Sequence, residues 1–374
     1  MRVLHAVTLI TPDGAYGGPV QVALNQAVSL CERGHEVTVA AGVRGYATPP
    51  TQQQTVPLVL RPARSVVPGV GFAGTAAPGL LRWLRNSRQE FDVIHLHLAR
   101  DLVMLPLAMA VARAGLPYVV QSHGMLAPRS NWLAPVLDAA CVRRILAGAA
   151  AVFHLTDDER TDLEEVGRGE AELRWLPNGV PRYEQAPPVA VDPPEVLFLA
   201  RLHQRKRPLD FVDAAVRLLE SGVDATFTLV GPDEGEGSKV TDRIGSNTAI
   251  AWTGAVAMGA APDRLRRASV YVLPAVDEPY PMSVLEAMAV GVPVVVTEGC
   301  GLAEFVRRSG GGRVTEPGAA PIAAAIAELL ADPDRARAIG LRGRAAVQRE
   351  LGMDAIAARL EDTYRLAIDG ARLR

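Results

Sequence analysis

The sequence predicts an α/β protein built from two Rossmann-like, doubly wound halves, each around a parallel sheet. Three observations predict it. Short β-branched apolar runs alternate with amphipathic stretches along the chain, the pattern of βαβ units whose sheet is covered on both faces. The length, 374 residues, exceeds one ordinary core and suits two domains of about 150–200 residues. A proline-rich, aperiodic stretch, "EQAPPVAVDPPEV" from Glu184 to Val196, separates two such patterns and reads as a linker.

Taken in order, Val3–Ile10 is a near-unbroken apolar run and reads as a buried strand. After Gly14, Gly17 and Gly18, the residues Val20, Ala23, Leu24, Ala27 and Leu30 recur at helical spacing, with Pro19 suited to a first turn. Val37–Ala41, Phe91–His97, Tyr118–Gln121 and Ala150–His154 are the further strands expected in the first half. The pattern restarts at Val196–Ala200, with a helix after Pro208. It continues through strands at Ala225–Val230, Ile250–Trp252, Val270–Leu273 and Val292–Thr297. Helical segments from Pro321 close the chain. The expected domains are 1–186, 187–350 and a closing helix, 351–374, that packs back on the first half.

Apolar residues make up 49% of the chain and charged residues 21%, and a formal charge of −2 argues against wholesale nucleic-acid binding. Cys31, Cys141 and Cys300 are far apart and in no metal-like spacing, which fits a reducing compartment. The chain enters its first strand without a signal peptide, and its longest uncharged apolar stretch, Leu102–Ala112, is too short to cross a bilayer. The expectation is a cytoplasmic enzyme.

Two stretches suggest a ligand. Gly14-x-x-Gly17-Gly18 is not the G-x-G-x-x-G fingerprint, which disfavours a nicotinamide enzyme. Its glycines still let a ligand approach the backbone, and the helix that follows favours an anion at its N-terminus; a tight turn without ligand is the plain alternative. "DEPYPMSVLEAMAVGVPVVVTEGCGLAE", Asp277 to Glu304, follows a strand and is the more specific. Glu278 lies in its loop and Glu286 one turn inside its helix, so each can accept hydrogen bonds from hydroxyls of one elongated ligand. The helix N-terminus between them suits a diphosphate. Ser283-x-x-Glu286 also matches a capping box, which needs no ligand.

That stretch resembles the E-x7-E signature of retaining GT-B glycosyltransferases of family 4. The likeness spans nearly the whole chain, through "GAYGGPV", "DVIHLHL", "QSHGML", "PNGV", "FLARLHQRKRP" and "LVGPDEGEG". It implies two Rossmann-like domains facing across a cleft. It also implies a nucleotide-diphosphate-sugar donor, UDP- or GDP-linked, held mainly by the C-terminal one. By that resemblance Glu286 binds the donor ribose and Glu278 the hydroxyls of the transferred sugar. Amides of Met282, Ser283 and Val284 approach the diphosphate. Pro281 stands where relatives often have glycine, and its nitrogen has no proton to give. Arg201 and Lys206 are assigned to the diphosphate, where fixed cations stabilise the charge that develops on a leaving phosphate; a solvated basic loop is the alternative reading. His123 is assigned to the transferred sugar near its anomeric carbon, through its imidazole and its carbonyl. Gly17 and Gly18 would approach the phosphate from the other domain, Gly231 the base, and Gly301 and Glu304 the donor. Asn178-Gly179 explains itself as a turn.

No carboxylate is an obvious nucleophile, unlike the paired acids of retaining hydrolases. The family route is same-face displacement with the leaving phosphate helping to deprotonate an acceptor hydroxyl and water excluded. The acceptor class is a carbohydrate, a lipid-linked acceptor or a small molecule, in polysaccharide or glycoconjugate biosynthesis. A nucleotide-sugar epimerase and an inactive nucleotide-sugar-binding subunit are the rivals. No metal or other cofactor is expected. "TDDER", Thr156–Arg160, reads as a capping box rather than an acidic metal motif. His95 and His97 share a strand face, but no third ligand is apparent beside them. Arg82, Arg85 and Arg88 form a cationic stripe beside Leu81, Trp83 and Leu84. It reads as a solvated face, with peripheral contact at the inner membrane face the other use.

Overall fold

The computed structural model describes residues 1–12, 17–67, 71–128, 133–184, 192–256 and 260–372. Gly14 and most of the proline-rich stretch lie outside them. The chain divides into unit 1, Met1–Gly179 with Met353–Arg374, and unit 2, Val180–Gly352. The division falls at 179/180, ahead of the linker expected at 184–196, because Val180 and Tyr183 already pack on the core of unit 2. Val180 N–H also bonds the Leu351 carbonyl at 3.0 Å, and Arg344 donates to the Tyr183 carbonyl at 3.0 Å.

Unit 1 holds β1 (Arg2–Ile10), β2 (Glu36–Val43), β3 (Val56–Pro62), β4 (Val93–His97), β5 (Tyr118–Gln121), β6 (Val152–His154) and β7 (Leu173–Trp175). They form a parallel sheet in the order β7-β6-β5-β4-β1-β2-β3, with Gln52–Gln53 antiparallel along the outer edge of β3. Its helices are α1 (Gly17–Glu32), α2 (Pro78–Ser87), α3 (Met104–Arg113), α4 (Leu133–Leu137), α5 (Arg143–Gly148) and α6 (Asp157–Gly167). β1 is buried along nearly its whole length because both sheet faces are covered: Leu4, Ala6 and Leu9 enter one core and Val3, Val7 and Ile10 the other.

Unit 2 holds β8 (Glu195–Leu199), β9 (Thr226–Val230), β10 (Ile250–Trp252), β11 (Val270–Leu273), β12 (Val294–Thr297) and β13 (Gly312–Thr315), all parallel, in the order β10-β9-β8-β11-β12-β13. Around it lie α7 (Pro208–Glu220), α8 (Gly237–Ile244), α9 (Ala261–Leu265), α10 (Met282–Ala289), α11 (Ala303–Ser309), α12 (Ala319–Ala331) and α13 (Pro333–Glu350). The closing helix α14 (Met353–Arg372) belongs to unit 1, where Ile356, Ala357, Leu360 and Tyr364 are fully buried. Both sheets run third-second-first-fourth-fifth-sixth, and unit 1 adds β7. In such a sheet the crossovers go opposite ways from the first and fourth strands, leaving a crevice at their carboxyl ends where ligands bind. Those crevices lie beyond β1 and β4 in unit 1 and beyond β8 and β11 in unit 2.

Strands β3, β7 and β13 are absent from the sequence reading. "VPLVLRP" carries two prolines and an arginine, β7 is three residues at an edge, and β13 opens on glycine. No helix among the described residues is long and apolar enough to cross a membrane.

Candidate active site

In unit 2 the carboxyl ends of β8 and β11 carry most of the sequence-predicted residues. Arg201 lies two residues past β8. Its exposed guanidinium pairs with Glu234 at 2.7 Å. The chain then makes a 3-10 turn, Gln204–Lys206, capped by the His203 ring, whose Nδ1 accepts from Arg205 N–H at 3.2 Å. The turn aims Lys206 back at the loop after β11, where Nζ meets Glu278 Oε2 at 2.7 Å, both side chains mostly buried. Arg205 Nη2 lies 3.9 Å from the same carboxylate and donates to the Asp277 carbonyl.

The loop that carries Glu278 is pinned from both sides. Val276 N–H bonds the Arg205 carbonyl at 2.9 Å, Gly301 N–H bonds the Glu278 carbonyl at 2.8 Å, and Thr297 Oγ1 donates to the Ala275 carbonyl. Position 301 must be glycine for this path, since a Cβ there would stand 1.9 Å from the Pro279 carbonyl oxygen. Gly231 has the same reason beside β8, where a Cβ would stand 1.9 Å from the Ala200 carbonyl oxygen. Glu304 is exposed and pairs with Arg307 at 2.8 Å.

Helix α10 begins at Met282 with Pro281 as its N-cap and no capping side chain. Met282 and Ser283 therefore hold the first-turn N–H groups that a helix leaves without an internal acceptor. Val284 differs from the expectation: its N–H is taken by the Pro281 carbonyl at 3.1 Å. The Ser283–Glu286 capping box does not form: Ser283 lies inside α10, past its N-cap, and its Oγ pairs with the Tyr271 hydroxyl at 2.7 Å. Glu286 keeps a carboxyl with no hydrogen-bond or ion partner among the described residues, and burial pushes it up to about 7. A half-buried carboxyl with no donor of its own suits a ligand that brings hydroxyls.

In unit 1, Gly17 and Gly18 open α1 itself rather than preceding it. His123 follows β5 in a turn closed by Met125 N–H on the Ser122 carbonyl at 2.9 Å, with positive φ at both His123 (52°) and Gly124 (72°). Both positive values mark a type I′ turn, an uncommon setting for a side-chain-bearing residue. Glu159 holds it. Its Oε1 accepts from Ser122 Oγ and Gly124 N–H, both at 2.6 Å, and its Oε2 from Leu155 N–H at 2.7 Å. The "TDDER" capping box is thus only half formed: Thr156 Oγ1 accepts from Glu159 N–H at 3.2 Å, but the glutamate reaches the histidine turn instead of returning the bond. Arg100 secures the next residues through the carbonyls of Met125, Leu126 and Ala127 and through Asp138.

Behind His123 the two strand histidines acquire the third partner that the sequence did not disclose. His5 of β1 sits in register with His95 of β4, so His5, His95 and His97 bring ring nitrogens within 4.8 Å of one another. Among the described residues they are the one group of three that could hold a metal. Of their ring nitrogens, all but His95 Nε2 are already engaged. His123 Nε2 meets His97 Nδ1 at 2.8 Å and His97 Nε2 meets His5 Nδ1 at 3.1 Å. His5 Nε2 and His95 Nδ1 then meet the Tyr364 hydroxyl at 3.3 and 2.7 Å. Burial drives all four imidazoles to their neutral form, His5 and His123 down to about 3.

Sequence reasoning missed Glu159, Arg100, His5, Tyr271 and Tyr364. Each acts through a partner tens to hundreds of residues away, and no local spacing signals that. Arg82, Arg85 and Arg88 are exposed, while Leu80 and Leu84 of α2 are buried in unit 1.

Comparison with known proteins agrees with this division. Residues 180–346 match the family of Glycosyl transferases group 1, and residues 17–179 the glycosyl transferase 4-like domain. The chain is 29% identical over 285 residues to the GDP-mannose-dependent alpha-(1-6)-phosphatidylinositol monomannoside mannosyltransferase of Mycobacterium tuberculosis, covering 70% of this chain and 73% of that one. Among solved structures, sucrose-phosphate synthase from Thermosynechococcus elongatus superposes with a TM-score of 0.72 at 18% identity, covering 99% of this chain and 100% of that one. HepE from Anabaena, solved with UDP and glucose, gives 0.71 at 20% identity, covering 98% and 99%. These likenesses place the fold as GT-B.

Proposed function

The chain belongs to the family 4 glycosyltransferases of GT-B fold, enzymes that move a sugar from a nucleotide-sugar donor, and on that premise we propose that the crevice of unit 2 grips the donor. The observation that carries the assignment is the Lys206–Glu278 ion pair standing at the carboxyl ends of β8 and β11, with the unpartnered carboxyl of Glu286 one helical turn inside α10.

Glu286 accepts from the ribose hydroxyls and Glu278 from hydroxyls of the transferred sugar. The N–H groups of Met282 and Ser283 meet the diphosphate. As the bond between anomeric carbon and phosphate oxygen breaks, negative charge moves onto the departing diphosphate, and Lys206 and Arg201 stabilise it as it forms. Leaving-group stabilisation is thus assigned to cations and amides, with no metal ion. Gly231 keeps the backbone close beside the base, His123 is assigned to the sugar, and Gly17 and Gly18 to the phosphate. The acceptor hydroxyl attacks from the face the phosphate leaves, so configuration is retained. A glycolipid or glycoconjugate acceptor is the assignment favoured by the likeness to a phosphatidylinositol monomannoside mannosyltransferase. Any contact with a membrane face would run through exposed arginines such as those of α2, whose Leu80 and Leu84 are spent on the core.

The test is incubation with UDP- and GDP-sugars labelled in the sugar, with and without glycolipid acceptors. Label is expected in an acceptor-dependent product whose anomeric coupling matches the donor. Free altered sugar without acceptor, or binding without turnover, would overturn the reading.

A further inference from the structure

The buried row His123–His97–His5–Tyr364–His95 has a direction, and its inner end sets it. His95 Nε2 is buried with no hydrogen-bond partner, while His95 Nδ1 is bonded to Tyr364. A neutral imidazole carries one proton. Placed on Nε2, that proton would be a buried donor without an acceptor, the rarest kind of unsatisfied group, whereas a bare ring nitrogen is better tolerated. The proton therefore belongs on His95 Nδ1, which donates to the Tyr364 oxygen. Tyr364 then gives its own proton to His5 Nε2. That leaves the His5 proton on Nδ1, donating to His97 Nε2, and the His97 proton on Nδ1, donating to His123 Nε2. The reverse order also gives every link one donor and one acceptor, but it leaves a proton on His95 Nε2 with nothing to accept it. No carboxylate is bonded to any of these four rings among the described residues, so nothing pulls a second proton onto them.

We propose that His97, His5, Tyr364 and His95 are positioning residues that fix His123 as a neutral imidazole protonated on Nδ1, so that it offers the candidate site a hydrogen-bond donor and cannot serve as its base. His123 Nδ1 has no partner among the described residues, so this donor is free for a ligand oxygen. The row also ends blind at His95, so it holds a proton order and does not conduct protons. The consequence for transfer rests on the reading that His123 contacts the sugar: the oxygen it meets must be an acceptor, and the acceptor hydroxyl must lose its proton to another group, as phosphate-assisted departure supplies.

The test uses the full chain with 15N-labelled histidine and a long-range proton–nitrogen correlation spectrum, which reads the protonated nitrogen of each ring. His123, His97, His5 and His95 are all expected to carry the proton on Nδ1, the minority tautomer of the free side chain. Tyr364→Phe keeps ring and volume but leaves His5 Nε2 with neither donor nor acceptor, and because a bare ring nitrogen is better tolerated than an orphaned N–H, Nδ1–H is expected to persist on His5, His97 and His123. His97→Asp sets a group that can only accept against His123 Nε2 and is expected to bring a proton there, while His97→Leu, which leaves that nitrogen bare, holds the proton on Nδ1. Protonated Nε2 on His123 in the unmodified protein, an unprotonated His123 Nε2 in folded His97→Asp, or tight zinc uptake by the three core histidines would overturn the proposal. Transfer kcat is expected to fall about tenfold or more in His97→Asp and to fall less in His97→Leu. Tautomers as expected with unchanged kcat would leave the proton order standing and defeat only the contact of His123 with sugar.

Discussion

Glu286 concentrates the chemistry of unit 2 in one side chain. Burial holds its carboxyl up to about 7, and in the ligand-free protein that has a definite sign. The folded value lies above the ordinary one. The stability this group contributes is therefore full below the unfolded value and lost as pH rises through about 7. Ribose hydroxyls need the charged form as acceptor, so nucleotide affinity runs the other way. UDP or GDP is expected to bind several-fold tighter at about pH 8 than at about pH 6, and Glu286→Gln to lose that slope. Calorimetry at the two pH values checks this, and equal slopes in both proteins would remove Glu286 from the site. Lys206 and Glu278 predict a different signature. Lys206→Ala should cost about a hundredfold in kcat, since it removes the partner of a charge that appears only as the bond breaks. Glu278→Ala should lower kcat with a smaller change in nucleotide affinity.

At the scale of elements, loops are shaped by what presses on them. The loop after β11 takes its path because Gly301 lies under the Pro279 carbonyl. Gly301→Ala must push that carbonyl aside and is expected to weaken nucleotide binding about tenfold while leaving most of the melting temperature intact. Calorimetry and a thermal melt on the same sample separate the two effects. α14 is the opposite case, an element whose loss would open a core. Leu360→Ala is expected to cost about 2–5 kcal/mol in unfolding free energy, read by denaturant titration. The same helix is clamped by Glu361, whose hydrogen bond to Arg33, at 2.6 Å, leads in holding its carboxyl down to about 2, with His35 adding to it. This folded value lies below the ordinary one, so the clamp's stabilisation is present at neutral pH and is lost as pH falls toward about 2.

On the whole molecule, the two units use one sheet order for different ends. Unit 2 gathers Arg201, Lys206, Glu278 and Glu286 around its crevice, and unit 1 places His123 beyond β5 with a histidine core behind it. Donor binding should appear as a rise in melting temperature with UDP or GDP, amounting to about 2.7 kcal/mol at a hundredfold excess over Kd. The better nucleotide identifies the donor base, and the rise should vanish in Glu286→Ala. A full rise in that variant would place the nucleotide elsewhere.

The amino-acid sequence by itself determined the α/β class, ten of the principal strands, the family resemblance and the residues of the E-x7-E stretch. These follow from local patterning: short apolar runs, helical spacing, and glycine and proline punctuation act over a few residues. Tertiary structure alone decided that Ser283 binds Tyr271 instead of capping Glu286, that Glu159 leaves its own helix to hold the His123 turn, and that His5 and Tyr364 complete a row begun by His95 and His97. A short polar side chain takes whichever donor or acceptor the fold brings within about 3 Å. That choice depends on strands and helices distant in the chain, so no window of the sequence contains it.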